Sequence, residues 1–168
     1  MQPRGCRMML ALVGGFLLIW ITLSVMLAPT SQATVQAAAN APRDVVINEV
    51  AWMGTEASYA DEWIELYNTT AVTISLEGWQ ITSNDGMVIE LDGEIKPQSF
   101  YLIERTNDDT ITDTLADLTI SFGSGGLNND GEILTLVNAA TDVIDTANAD
   151  GGVWPAGDNA TKATMERI

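Results

Sequence analysis

From Arg43 onwards, apolar and polar residues alternate with a period of two, and this alternation limits what the chain can fold into. The stretches Val72–Leu76 and Leu118–Phe122 both show it. Because successive side chains of a strand point to opposite faces, the pattern predicts strands with one buried face and one solvated face. Asp-Gly pairs at 85–86 and 130–131 tolerate the positive φ of tight turns and separate the strand runs. The sequence therefore predicts an all-β domain.

The alternation and the turns together predict eight to ten short strands, which is typical of a sandwich or a barrel. Met53–Asp61, the one stretch with some helical character, is expected to be a long loop. The predicted strands are Val45–Trp52, Glu62–Tyr67, Val72–Leu76, Trp79–Thr82, Met87–Leu91, Ser99–Arg105, Leu118–Phe122, Glu132–Val137, Asp142–Ala147 and Lys162–Arg167.

The first forty residues have the composition of a targeting segment. Arg4 and Arg7 precede an uncharged run over residues 8–28, and small residues suited to cleavage follow near Ala39. This order predicts a secretory signal peptide or, because the run is long enough to span a bilayer, an uncleaved anchor helix. We therefore divide the chain into a signal or anchor plus spacer (1–41) and a folded domain (43–168). The domain is expected to be exported, either secreted or anchored at the cell surface, with membrane contact only through the N-terminal segment.

The folded part is strongly acidic. All 23 acidic residues follow residue 43, whereas two of the seven basic ones precede it, so five basic residues remain and the net charge of residues 43–168 is −18. Such a charge repels phosphates, and we expect no nucleic acid binding through this domain. The chain contains no histidine, and its one cysteine, Cys6, lies before the apolar run. Disulfides, thiolate metal sites and histidine bases are therefore excluded from the folded part.

Eight segments in a fixed order carry a recognisable pattern: Val46–Val50, Glu62–Asn68, Leu76–Ile81, Lys96-Pro97, Ser99–Ile103, Leu127–Leu136, Trp154–Gly157 and Thr164–Arg167. This ordered set resembles the lamin-tail domains found in nuclear lamins and in many exported bacterial proteins. The resemblance implies an immunoglobulin-like β-sandwich and brings no catalytic residues with it. The residues expected to have structural roles are Trp63, Ile64, Leu66, Gly78, Trp79 and Ile81.

Clustered carboxylates are the first candidates for chemistry. Two carboxylates among Asp61, Glu62 and Glu65 could form a catalytic acid/base pair. In a chain with this many acidic residues, however, neighbouring carboxylates are expected by chance. A solvated acidic face is therefore the preferred interpretation. Weak candidates for a calcium site are Asp108, Asp109 and Asp113. Neither their loop nor the Asn148–Gly151 loop has EF-hand spacing, and no other cofactor is expected.

Aromatic residues are the candidates for ligand contact. Trp63 and Tyr67 are predicted to face away from Ile64 and Leu66, and Trp154 is a third ring that could meet a ligand. When a partner covers an exposed ring, much surface area is buried and little side-chain entropy is lost. The alternative is that these rings pack in the core or form cross-strand pairs.

These observations favour a non-catalytic extracellular module with a binding, adhesion or structural role. Its expected partner is an extracellular protein or polysaccharide. The alternative is an accessory domain of a larger extracellular hydrolase, for example a nuclease, because lamin-tail domains resembling this one accompany such enzymes.

Overall fold

The computed structural model describes residues 41–168, so the predicted signal or anchor helix lies outside the described residues. Within this range the regular structure consists of strands alone, and none of it is a helix that could cross a membrane. The strands are β1 (Val45–Ala51), β2 (Trp63–Asn68), β3 (Ile74–Ser75), β4 (Gln80–Ser83), β5 (Val88–Glu90), β6 (Glu94–Ile95), β7 (Phe100–Arg105), β8 (Leu118–Ile120), β9 (Leu134–Val137), β10 (Val143–Ala147) and β11 (Met165–Glu166).

The strands form three sheets. The larger sheet has the order β11-β1-β2-β7-β8, the second has the order β10-β9-β4-β5, and β3 pairs with β6. All pairings are antiparallel except that of β7 with β8, which is parallel. The arrangement confirms the predicted all-β, immunoglobulin-like sandwich.

One core joins the two larger sheets. On β2, Ile64 and Leu66 are fully buried, and on β4 so is Ile81, with Trp79 beside it in the same cluster. Burial of an aliphatic side chain of this size contributes about 1.5–3 kcal/mol. These four residues are the ones that the alternation assigned to the core. Gly78, at the bend before Trp79, has a φ of 73°, a left-handed conformation that glycine adopts without strain.

A bulge in β1 changes which residues face the core. Ile47 pairs with Leu66, but the next pair joins Glu49 to Glu65, so Asn48 is an extra residue in β1. The side-chain amide of Asn48 donates to Glu65 Oε1 at 2.8 Å. A bulge shifts the alternation of a strand by one residue. Ile47 and Val50 are therefore both buried, and Glu49 lies directly opposite Glu65 on the outer face.

Several strands differ in extent from the prediction, and the largest differences are in β3, β6 and β11. Strands β3 and β11 have only two residues each, and β6 forms where no strand was predicted. The fully buried Asn68 accounts for part of this, since its amide donates to the carbonyl oxygens of Val72, Ile95 and Lys96. The Asn68 side chain thus supplies hydrogen bonds to carbonyl groups that the backbone of a neighbouring strand would have bound in a longer sheet. The stretch Met53–Asp61 is a loop, as predicted.

Candidate functional site

The outer face of the five-stranded sheet carries three aromatic rings. Trp63 and Tyr67 are half-buried and project from β2 on the side opposite to Ile64 and Leu66. Tyr67 pairs with Phe100 of β7, and their ring centroids are 4.9 Å apart at an interplanar angle of 42°. Phe100 is 55% exposed. A large apolar ring that stays this exposed on a sheet is available to a partner.

The loop of residues 106–117 covers one side of this face. Glu104, which is fully buried, accepts hydrogen bonds from the backbone N–H groups of Thr110 and Ile111, at 3.2 and 2.9 Å. Asp117 Oδ2 accepts the N–H of Leu102 at 2.8 Å. These bonds fix the loop against β7. Between the loop and β2 lies a cleft of about 320 Å³, here called the outer-face cleft, which is lined by Glu49, Trp63, Glu65, Phe100, Leu102, Ile111, Thr114 and Asp117.

The outer-face cleft is acidic as well as aromatic. Burial raises the pKa of Glu65 above its usual range, and the charges of Glu49 and Glu166 add to this, against the opposing hydrogen bond from Asn48. Glu49 accepts a hydrogen bond from the hydroxyl of Thr164. Carboxylate oxygens beside aromatic rings can accept hydrogen bonds from sugars or pair with cationic groups.

The structure places Trp154 away from the outer-face cleft. Only 8% of Trp154 is exposed, and its ring stacks on Trp52 with centroids 6.2 Å apart. Its indole N–H donates to the carbonyl of Asn128 at 2.7 Å. Of the three aromatic residues predicted to meet a ligand, the structure therefore places Trp63 in the outer-face cleft, Tyr67 beside Phe100 on the same sheet face, and Trp154 in the core.

The aspartates proposed as calcium ligands lie in the exposed 106–117 loop. Asp108 accepts the N–H of Ala116, and Asp109 accepts a hydrogen bond from the amide of Asn107. Within residues 41–168 no group of three or more acidic, histidine or cysteine side chains is arranged to hold a metal ion. Calcium binding stays a prediction from the sequence.

The predicted cluster of Asp61, Glu62 and Glu65 is divided by the fold. Asp61 accepts a hydrogen bond from Thr55, and Glu65 lies on the outer face. Glu62 is buried, where its Oε2 lies 3.1 Å from Arg105 Nη1 and accepts the N–H of Leu127 at 2.8 Å. Burial raises the pKa of Glu62 to about 7, against the effects of these two donors. Glu62 therefore joins the loop after β8 to the sheet, and Glu65 does not share its surroundings.

Another buried carboxylate, Glu132, lies close enough to Glu62 to affect its pKa. One of its oxygens accepts the N–H of Asn128 at 2.7 Å, and the other is buried with no hydrogen-bond partner among residues 41–168. Burial raises the pKa of Glu132 above its usual range, and Asp85 contributes in the same direction.

Sequence reasoning did not select the cleft residues that β1, β7 and the 106–117 loop contribute. The alternation within the Ser99–Arg105 stretch was a usable signal, because it places Phe100 and Leu102 opposite to the buried Ile103. Nothing in the sequence indicates that the 106–117 loop folds back onto β7 or that Asp117 approaches Glu65.

A known protein family matches most of the chain. The family model described as Lamin Tail Domain matches residues 24–150, which is well over half of the 168 residues. No curated protein matches the chain.

Proposed function

The chain belongs to the lamin tail domain family, and from that premise we propose that it is an exported, non-catalytic binding module that contacts its partner through the outer-face cleft. This is a family of immunoglobulin-like domains, which fits a role without catalysis. Because a fold by itself does not define a function, the proposal rests on the site.

The observation that carries the proposal is the group of rings Trp63, Tyr67 and Phe100 on one sheet face, beside a cleft with several carboxylates. An aromatic side chain contributes most to stability when it is buried in the core, as Trp79 is. Three rings left on the outer face of a sheet give up part of the free energy that their burial would contribute. A partner that covers them would recover it, as the aromatic anchors of protein interfaces do.

Export is part of the proposal and rests on the N-terminal sequence. Arg4 and Arg7 precede the apolar run over residues 8–28, which has the order of a signal peptide or signal anchor. Outside the cell, the available partners are surface proteins and polysaccharides, and both are commonly bound through exposed aromatic rings.

The proposal is tested by binding assays with the purified full-length chain in mild detergent. Insoluble cell-wall polysaccharides and extracts of surface proteins serve as the two sources of ligand. We expect selective binding that falls at least tenfold in Trp63→Ala and in Phe100→Ala, since a central aromatic anchor contributes about 2 kcal/mol or more. Circular dichroism and urea unfolding show whether each variant is folded.

The matched control is Tyr59→Ala, which removes a ring that is 79% exposed but lies outside the cleft. Its binding should equal that of the unmodified chain. Binding that persists in a folded Trp63→Ala variant, or that disappears in Tyr59→Ala instead, would place the binding surface elsewhere and reject the proposal.

A further inference from the structure

The carboxylates of the outer-face cleft have no basic partner in the described part of the chain. The ion pairs within residues 41–168 join Lys96 to Glu94, Arg105 to Glu62 and Arg167 to Asp145. None of them includes a carboxylate of the cleft, and none of the residues that line the cleft is basic. Within residues 41–168, the charges of this site are therefore not neutralised by a basic side chain.

Three glutamates also lie side by side across the sheet. In the register of the strands, Glu166 of β11 is directly opposite Glu49 of β1, which is directly opposite Glu65 of β2. Side chains at directly opposed positions project from the same face, and like charges so placed destabilise a sheet. The row repels itself, and a bound cation would relieve the repulsion.

The rings beside this row favour the same kind of ligand. Trp63 and Phe100 line the cleft with Glu49, Glu65 and Asp117. The negative face of an aromatic ring attracts cations, and a guanidinium group can stack on a ring while it donates to a carboxylate through its planar fork. A cleft of about 320 Å³ is at the small end of ligand sites, so it suits one side chain.

We infer that the outer-face cleft binds an arginine side chain presented by an extended basic segment of a partner protein. This inference rests on the proposed function and names the chemistry of its ligand. The net charge of −16 on the chain adds a long-range attraction that steers such a segment toward the domain. The cleft then supplies the selectivity, through two or more carboxylates and the Trp63 ring.

The test measures binding of a fluorescein-labelled tetra-arginine peptide to the full-length chain by fluorescence anisotropy at about 0.15 M salt. A tetra-citrulline peptide, which has nearly the same shape without the charge, is the ligand control. We expect the arginine peptide to bind at least tenfold more tightly. The double variant Glu65→Gln/Asp117→Asn should weaken that binding at least tenfold while it keeps the acceptors for Asn48 and Leu102.

The double variant Glu77→Gln/Glu90→Gln is the charge-matched control. It removes two charges from exposed positions outside the five-stranded sheet and should change the affinity less than twofold. Equal losses in the two double variants would show that net charge alone attracts the peptide, and equal affinity for the two peptides would show that charge is not recognised. Either result overturns the inference.

The outcome separates this inference from the proposed function. If a polysaccharide or surface protein binds in a manner that depends on Trp63 and tetra-arginine does not bind, the binding module stands and the arginine specificity fails. If no ligand shows a dependence on Trp63, both fail.

Discussion

Two groups of carboxylates in this domain differ in their partners, and the described part of the chain supplies a basic residue to only one of them. At one end of the sandwich, Glu62 and Glu132 are buried, and each binds a backbone N–H of the loop before β9. Arg105 pairs with Glu62 there. In the outer-face cleft, Glu49 and Glu65 are half-buried and oppose each other across two strands. The first group therefore includes an ion pair, whereas the second has no basic partner among residues 41–168.

We propose that the difference separates a structural role from a binding role. Buried charges that receive donors from a loop hold that loop in place, and removing a partner leaves an uncompensated charge. Like charges placed opposite each other on a sheet surface destabilise the fold, and such local costs are typical of sites kept for function. Three substitutions sharpen this comparison.

The largest effect is expected for Arg105→Ala. This change leaves Glu62 buried without its cation, and we expect the free energy of unfolding to fall by about 3–5 kcal/mol. Urea unfolding of the full-length chain at pH 8 measures it. Lys96→Ala, which breaks the exposed pair with Glu94, should cost less than about 1 kcal/mol. Similar costs for the two variants would contradict the structural role of the buried group.

A smaller effect, opposite in sign, is expected for Glu132→Gln. Burial raises the pKa of Glu132 in the folded chain. As the pH rises, the unfolded chain therefore loses the carboxyl proton near the ordinary pKa of 4.5, and the folded chain loses it only at a higher pH. The stability that Glu132 contributes is therefore complete below pH 4.5 and is lost as the pH rises through its folded pKa. The variant keeps an acceptor for Asn128 and avoids the buried charge, so we expect it to be more stable at pH 8 by about 1–3 kcal/mol.

Urea unfolding at pH 4 and at pH 8 measures this dependence. The advantage of the Glu132→Gln variant should vanish at pH 4, where the carboxyl holds its proton in both states. The exposed Glu77→Gln is the control and should show no comparable dependence. A gain that is the same at both pH values would mean that packing, not ionisation, is responsible.

The smallest effect is expected for Glu65→Gln. Removing the charge of Glu65, at one end of the Glu166–Glu49–Glu65 row, should raise the free energy of unfolding by about 0.2–1 kcal/mol at neutral pH. Because the repulsion acts between partly exposed charges, the gain should shrink as salt rises from about 0.01 M to 1 M. The same variant should bind tetra-arginine more weakly. A loss of stability would instead show that Glu65 is needed by the fold.

Much of the fold was predictable, because it follows from local alternation. Ile64, Leu66, Trp79 and Ile81 are buried as the period of two requires, and Asn68 closes its turn through its side chain. The two-residue strands were less predictable. Strand β6 depends on a pairing with β3 and on the Asn68 amide, both of which join residues distant in the sequence.

The candidate site was predictable only in part. The alternation placed Trp63 and Tyr67 on a face opposite to the core, but it does not say which strands lie beside them. Trp154 belongs to a residue type that often contacts ligands, yet it is buried. The chain after β10 folds back so that the Trp154 ring stacks on Trp52.

The sequence by itself determined that this chain forms an all-β sandwich, that Ile64, Leu66, Trp79 and Ile81 face its core, and that its surface is strongly acidic. These properties depend on the order of neighbouring residues and on composition. Only the tertiary structure decided which carboxylates of residues 41–168 have a basic partner and which do not. The β1 bulge places Glu49 opposite Glu65, and the loop after β7 brings Asp117 to the same cleft. Such contacts join segments tens of residues apart, and electrostatic interactions depend on those distances and on burial, which no local pattern encodes.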